Sequence, residues 1–348
     1  MAYIDNPLIT VIIPVYNGES FIEKCYTSIN SQSFKQMEII FVNDGSTDNT
    51  EMIVQGLCDV DPRVRLVSKA NEGQGIARNV GIDFARGKYV SFVDVDDKLP
   101  PHAYESLLEL IESSSADVVY GLSAGEGSTE PILPIKTGRF EDESSLSYLS
   151  GLIVGGLPED KEDSMLGMGA NRALFRREFL DSYGIRFLSE RLVNSEDMLF
   201  NMDVLAVCKS ACLLTKVVYT ICYDANPQSY SKRYDPNRLE TFIRLRREMM
   251  DRVKHWSRFR GFEIRVERRF LANCRVATKL AVFSSGSLSD RLKDVEAILT
   301  NPRYRGSLAT YPISNLPLKQ RLFFVLSKLQ ITPLVFALVK LRYGRGLQ

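Results

Sequence analysis

The sequence predicts an α/β protein: a Rossmann-like, mostly parallel sheet with helices on both faces, followed by a mainly helical C-terminal region. Three observations carry this. Short apolar runs rich in β-branched residues alternate with amphipathic stretches through the first hundred or so residues. The runs end in polar or acidic turns, as strands do where they leave a sheet. From Arg238 onward Leu239, Phe242, Met249, Val253 and Trp256 fall near helical spacing with basic residues between them.

The elements follow in order. Ile9 to Val15 is an apolar, β-branched run and reads as a buried strand. A turn at Tyr16, Asn17 and Gly18 follows, and Ser20 with Glu23 three residues on is a capping-box pattern for a helix to about Ser31. Met37 to Val42 is the second strand and Val64 to Val67 the third, separated by a helix around Thr50 to Leu57. A glycine-bearing loop, Asn71 to Gly75, leads to a helix from about Ile76 to Ala85, with Gly87 read as its C-terminal stop. Tyr89 to Val93 is the fourth strand. A helix then runs from after Pro100 to about Ser113, and a strand from Asp117 to Tyr120. Gly121 to Lys161, rich in Gly, Ser, Glu and Pro, reads as irregular and suits a lid or insertion. Ala173 to Leu180 and Met198 to Val207 read as helices, and Ala211 to Tyr223 as a strand. The repeated strand–helix alternation implies a parallel sheet. The first strand is not followed by a GxGxxG fingerprint, which argues against a dinucleotide cofactor.

Composition bounds the function. The 348 residues carry a formal net charge of only +1, but residues 1–226 hold 19 Lys and Arg against 34 Asp and Glu (−15), and residues 227–348 hold 25 against 9 (+16). The basic C-terminal part therefore suits an anionic partner. The six cysteines form no CxxC pair and only two histidines are present, so a structural zinc site is not expected and the thiols read as reduced, in a cytoplasmic protein. Met1 to Asn6 has no secretory character. No apolar run reaches the length of a membrane span; Leu322 to Val339 is interrupted by Lys328, Gln330 and Pro333.

The chemistry concentrates after the fourth strand, where Asp94, Asp96 and Asp97 follow at once. Ligands of open α/β sheets bind beyond the carboxyl ends of the strands. Clustered carboxylates repel one another unless a cation joins them, and a hard divalent ion of this kind usually brings phosphates with it.

Four segments, Val11–Asn17 (VIIPVYN), Val42–Asp48 (VNDGSTD), Asp94–Asp97 (DVDD) and Ser195–Phe200 (SEDMLF), with Ala77–Asn79 (ARN) between them, form a set. In this order and at these distances the chain resembles the family 2 glycosyltransferases of the GT-A fold, inverting enzymes of the bacterial surface-polysaccharide type. The resemblance covers about Leu8 to Ser231. It implies a catalytic domain over residues 1–231, with the nucleotide-sugar part at about 8–120 and the acceptor side at about 121–231, and a basic helical region over 232–348. It also implies roles. Pro14 and Tyr16 would lie against the uracil of a UDP-sugar, Asp44 would accept the uracil N3 proton, and Arg78 would approach the nucleotide. Asp94 would reach the ribose or the metal, Asp96 would bind the metal (Mn²⁺ or Mg²⁺), and Asp197 would be the general base. Asn171 and Arg172 would face the cleft between donor and acceptor. Either the Gly121 to Lys161 region or the loop from Asn226 to Ser231 would cover the site. The acceptor class implied is a glycan or a polyprenyl-linked sugar.

The residue types suit that reaction. A nucleoside diphosphate gains negative charge as it leaves, which a metal neutralises, and the acceptor hydroxyl needs a carboxylate to take its proton. Two other readings compete: a DxD-type phosphatase with Asp94 as nucleophile, which has Lys98 where Thr or Val is wanted and no use for Asp44 or Asp197, and a catalytically silent nucleotide-sugar-binding subunit. From Ala297 to Gln348 there are eight Lys or Arg and no acid, interleaved with Leu, Phe, Val and Ile between Leu318 and Leu341. That composition suits helices on an anionic membrane surface from about residue 316, at the inner face of the plasma membrane, or packing on protein. Pro333 is expected to break the run. No nucleic-acid recognition module is present, and a homo-oligomer is left open.

Overall fold

The structure is a computed structural model and describes residues 6–127, 137–167, 169–222 and 234–344. The chain forms two compact units: residues 1–150, 166–191 and 195–226 make the first, and residues 151–165, 192–194 and 227–348 the second.

In the first unit the described residues form an eight-stranded sheet: β1 (Ile9–Val15), β2 (Met37–Asn43), β3 (Val64–Ser68), β4 (Tyr89–Phe92), β5 (Val118–Gly125), β6 (Gly138–Phe140), β7 (Ala173–Arg176) and β8 (Ala211–Ile221), in the order β3-β2-β1-β4-β7-β5-β8-β6. The pairs β1–β2, β2–β3, β1–β4 and β5–β8 are parallel. β7 is antiparallel to both β4 and β5, and β6 is antiparallel to β8. All seven residues of β1 and of β2 are buried, as strands covered on both faces must be. One face carries Ile9, Val11 and Ile13 of β1 against Ile22, Cys25 and Ile29 of α1 (Ile22–Asn30), Val54 of α2 (Thr50–Val60) and Tyr104, Leu107 and Ile111 of α4 (Ala103–Ser114). On the other face α3 (Gln74–Phe84) lies so close that a Cβ at Gly81 would collide with the Ile12 side chain. The order β3-β2-β1-β4 puts the topological switch between β1 and β4, and register aligns Val15 with Asn43 and Ile12 with Phe92. The segments leaving β1, β2 and β4 therefore emerge at one edge, where such sheets take ligands.

Several expectations are corrected. Ser20 does not cap α1; the helix begins at Ile22 and no side chain caps it. The N–H groups of Asn17, Gly18 and Glu19 are instead satisfied sideways by Ser46, Thr50 and Asp48. Gly87 is not a helix stop, since α3 ends at Phe84; it lets the chain pass Thr10, whose nitrogen would lie 2.6 Å from an added Cβ. Ala173 to Arg176 is strand rather than helix, because β7 fills the gap between β4 and β5; only α6 (Arg177–Ser182) is helical. Residues 121–161 are not irregular throughout. β5 runs on to Gly125, β6 follows at Gly138, and α5 (Glu143–Val154) buries Leu146, Leu149 and Ile153 at helical spacing. α7 (Glu196–Val207) then leads to β8.

The second unit is helical: α8 (Arg238–His255), α9 (Glu263–Val282), α10 (Leu288–Thr300), α11 (Pro302–Thr310), α12 (Leu318–Lys328) and α13 (Thr332–Tyr343). Its core gathers Phe242, Phe270, Leu271, Val295, Leu299, Tyr304, Phe323, Phe324, Val335 and Phe336. Asn301 caps α11 by accepting from the N–H groups of Arg303 and Tyr304, with Pro302 in the first turn where its missing N–H costs nothing. Pro333 does separate two helices, by opening α13. Among the described residues no helix is long and apolar enough to cross a membrane.

Candidate active site

Three turns meet at the sheet edge of the first unit. After β1, Asn17 takes a left-handed conformation (φ 49°) and its Oδ1 accepts from the N–H of Thr47 at 2.8 Å, fastening the first turn to the one after β2. Pro14 is buried in β1, whereas Tyr16 is 52% exposed just beyond it. Asp44 follows β2 and is buried. Its Oδ1 accepts from Lys69 Nζ (2.9 Å) and from the N–H of Glu72 (3.0 Å), and its Oδ2 from the N–H of Gly73 (2.7 Å). The carboxylate thus organises the loop before α3. The far end of that loop is held by Glu190, which accepts from the N–H of Gly75 at 3.1 Å. Gly73 sits at φ 102° with its α-carbon against the Glu190 carboxylate, and Gly75 lies against the Leu188 carbonyl; a Cβ fits at neither.

The loop delivers α3, whose Arg78 is the hub of the site. This guanidinium is 1% exposed and meets three carboxylates. Nη2 donates to Asp94 Oδ1 (2.7 Å), while Nη1 donates to Glu196 Oε1 (2.8 Å) and Asp197 Oδ1 (3.0 Å). Burial alone would lower its pKa, but Asp197, Asp94 and Glu196 outweigh that and raise it, so the cation is permanent. The Phe187 ring lies 5.2 Å from Arg78 Cζ, and Phe187 stacks on Phe200 at 3.8 Å between centroids, so the cluster rests on an apolar wall. Neighbouring Asn79 pins the Phe187 backbone with two bonds of 2.8 Å.

Glu196 and Asp197 open α7, after Ser195 in a left-handed turn (φ 75°). Burial, with Asp197 beside it, pushes Glu196 up to about 7 despite Arg78. Burial raises Asp197 as well, opposed chiefly by Arg78. The Asp197 side chain keeps 18% exposure, against 4% for Glu196, so Asp197 is the one of the two that a substrate can reach. Gln74 donates to Glu196 Oε1 at 2.8 Å.

After β4, Asp94 accepts from Arg78 and, through Oδ2, from Asn171 Nδ2 at 3.0 Å. Asp97 folds back inside: its Oδ2 accepts from Tyr219 Oη and its Oδ1 from the N–H of Cys222, both at 2.8 Å. Burial and the Asp94 charge raise its pKa to about 7. Asp96 is partly exposed and borders a cavity of about 250 Å³ lined also by Phe21, Lys24, Asp97 and Lys98. Among the described residues no group of three or more His, Cys, Asp or Glu forms a ready-made metal cage. The acidic turn does fit an ion that takes one or two carboxylates and draws its remaining ligands from phosphate oxygens and water, as Mg²⁺ does. Burial leads the upward shift of Asp97, and the Asp94 and Asp96 charges add a repulsion that such a cation would relieve.

The structure thus brings Arg78, Asp94 and Asp197 into one cluster and ties Asp44 to it through the loop before α3. Arg78 meets the site through carboxylates: its two terminal nitrogens pair with Asp94, Glu196 and Asp197. Arg172 is buried, its guanidinium on the carbonyls of Gly121 and Gly167, while Asn171 takes the contact with Asp94. The loop from Asn226 to Ser231 lies outside the described residues. Sequence reasoning missed Lys69, Gln74, Glu190 and Tyr219. Their contacts with Asp44, Glu196, Gly75 and Asp97 span 25 to 122 positions and leave no local pattern.

The family model described as Glycosyl transferase family 2 matches residues 10–182. EpsH, a provisionally assigned glycosyltransferase of Bacillus subtilis (strain 168), is 23% identical over 335 residues, covering 95% of this chain and 94% of EpsH. Among solved structures, residues 1–349 of TarS from S. aureus, in complex with UDP-GlcNAc, align with a TM-score of 0.61 at 19% identity, over 97% of this chain and 92% of that one. The mannosyltransferase PcManGT from Pyrobaculum calidifontis, in complex with GDP-Man and Mn²⁺, aligns with a TM-score of 0.55 at 18% identity, over 96% and 87%.

Proposed function

From a chain that belongs to glycosyl transferase family 2, and is therefore a glycosyltransferase, we infer the transfer of a hexosyl or N-acetylhexosaminyl group from a UDP-sugar to an acceptor hydroxyl by a single, inverting displacement. The phosphatase reading falls with that membership, and the intact set of acids argues against a silent subunit. One observation carries the inference: Arg78 joins Asp94, at the strand end where the donor is expected, to Asp197, at the start of α7. A donor-side acid and a proton acceptor thereby share one guanidinium.

In this reading Tyr16 and Pro14 take the uracil and Asp44 its N3–H. Asp197 accepts the acceptor's proton as the acceptor oxygen bonds to the anomeric carbon and the bond to the diphosphate oxygen breaks. Its raised pKa makes it a better proton acceptor than an exposed aspartate, and the Arg78 contact keeps it ionised until the proton arrives. Asp96, with Asp94, would hold the divalent ion (Mn²⁺ or Mg²⁺), which supplies neutralisation of the charge on the leaving diphosphate. The UDP-GlcNAc bound by TarS and the Mn²⁺ bound by PcManGT agree with this assignment of donor and metal. The acceptor proposed is a lipid-linked or growing surface glycan, met at the inner face of the plasma membrane.

The test is UDP release over a panel of UDP-sugars with Mn²⁺, with and without a lipid-linked acceptor. Asp197→Asn is expected to bind UDP like the unmodified chain and to lose transfer by about 100-fold or more. Asp96→Ala is expected to lose metal-dependent UDP binding. Full transfer by the Asp197→Asn protein removes the assigned base.

A further inference from the structure

The last two helices of the second unit are apolar on two opposite faces, and only one face of each is used. In α12 the side chains of Gln320, Phe323, Phe324 and Ser327 are buried. Leu318, Leu322, Val325 and Leu329 are 41–71% exposed. At about 100° per residue those four fall within an arc of about 60°, directly opposite the buried face. α13 repeats the plan: Val335, Phe336 and Val339 are buried, while Leu334 and Leu341 are 51% and 74% exposed with Ala337 between them. Basic residues flank both stripes. Lys319 lies on one side of the first and Arg321 and Lys328 on the other; Lys340 and Arg342 border the second. No acid occurs from Ala297 to the end of the chain.

We propose that these two outward stripes are a docking surface for an anionic lipid bilayer, on which α12 and α13 lie in the plane of the interface. The inference deepens the proposed placement of the enzyme, and rests on that reading only for which membrane is met. Leucines enter the boundary between headgroups and acyl chains, and the flanking Lys and Arg keep their charges at headgroup phosphates. Helices of 11 and 12 residues are too short to span, so they bind flat. The stripes are not the segment's most apolar positions. Phe323, Phe324, Val335 and Phe336, which composition alone would assign to lipid, belong to the protein core. A second copy of the chain is the poorer occupant. Pairing stripe to stripe would bring Lys319, Arg321 and Lys328 against their own counterparts with no carboxylate nearby in the sequence to offset them.

Co-sedimentation of the full chain with vesicles of phosphatidylcholine plus phosphatidylglycerol, and with phosphatidylcholine alone, tests this. The expected result is binding to the anionic vesicles, weakened by about tenfold or more in the Leu318→Gln, Leu322→Gln, Leu329→Gln triple variant. A similar loss is expected for Lys319→Gln with Lys328→Gln, and on raising the salt. Circular dichroism, and UDP binding with Mn²⁺, should be unchanged in both variants, because the altered side chains lie outside the core. Nucleotide release with a water-soluble acceptor should also be unchanged, so failure of the transferase reading and failure of this one show in different assays. The proposal is overturned if the unmodified chain ignores anionic vesicles or if the triple variant binds them equally well. It is also overturned if sedimentation velocity shows a dimer that the triple variant abolishes, which would make the occupant a second copy.

Discussion

A guanidinium buried among three carboxylates changes what each of them can do. Arg78 offsets part of the repulsion among Asp94, Glu196 and Asp197, and removing it leaves buried negative charge without a partner. Arg78→Gln should destabilise the first unit by about 3–5 kcal/mol in chemical denaturation. Arg78→Lys should recover only part of this, since one ammonium cannot reproduce the fork that reaches Asp94 from one nitrogen and both α7 acids from the other. The individual acids were legible in the sequence as motif residues, Asp94 and Asp197 above all. Their joint dependence on Arg78 was not, because Glu196 and Asp197 lie 118 and 119 positions from it. Asp97 carries a separate prediction. Its folded pKa of about 7 stands above the ordinary aspartate value of 3.8, so between those values the native state holds a proton that the unfolded chain has released. Stability therefore falls as pH rises from about 4 through about 7 and levels off above, by a few kcal/mol at most. Glu196, also raised, pulls in the same direction. In Asp97→Asn the difference in melting temperature between about pH 5 and about pH 8 should shrink, as scanning calorimetry would record; an unchanged difference would mean that the proton sits elsewhere.

At the level of elements, two helix glycines separate propensity from packing. Gly56, in α2, has nothing within 4 Å of a built Cβ and an ordinary backbone conformation. Gly56→Ala should therefore stabilise by about 0.5–1 kcal/mol through helix propensity alone. Gly81, in α3, lies against Ile12 of β1, and a methyl group there must displace either that side chain or the helix. Gly81→Ala should destabilise by about 1–3 kcal/mol, and urea midpoints for the pair should move in opposite directions. The same division explains which elements could be read from sequence. β1, β2 and β4 were legible because strands buried on both faces are continuous apolar runs, and α1, α2 and α4 because each buries one stripe. β7 was not. Its four residues, Ala173 to Arg176, are too few for a periodicity, and their conformation is dictated by the two strands that flank them. α5 was missed because Ser and Glu dominate its exposed positions and mask the buried Leu146, Leu149 and Ile153.

Over the whole molecule the opposed charges of the two halves, −15 and +16, were legible at once, but not which of the basic residues are buried. Part of the basic excess lies in the interior of the second unit rather than on its surface. Arg238, Arg268 and Arg269 are buried. From α9, Arg269 donates to the carbonyls of Ile153 and Val154, and Arg265 to that of Gly155, closing the C-terminal end of α5 where helix carbonyls lack partners. Arg268 reaches Asp163 at 2.9 Å and also donates to the carbonyls of Pro158 and Asp160, and Arg275 pairs with Asp163 from about two helical turns further along α9. Asp163 is thus the carboxylate shared by two of these arginines in the strap of residues 151–165. Burial lowers the Arg269 pKa to about 10, so that side chain stays charged at neutral pH while it donates to the carbonyls of Ile153 and Val154. The strap should accordingly depend on Asp163 more than on any single arginine. Asp163→Ala leaves Arg268 and Arg275 facing each other without their common counter-ion. It should cost about 3–5 kcal/mol and expose residues 151–165 to faster amide exchange. Arg275→Gln removes only the outer of the two cations and should cost less, about 1–2 kcal/mol. Equal losses in the two variants, measured by denaturation and exchange together, would show that Asp163 is not the shared anchor.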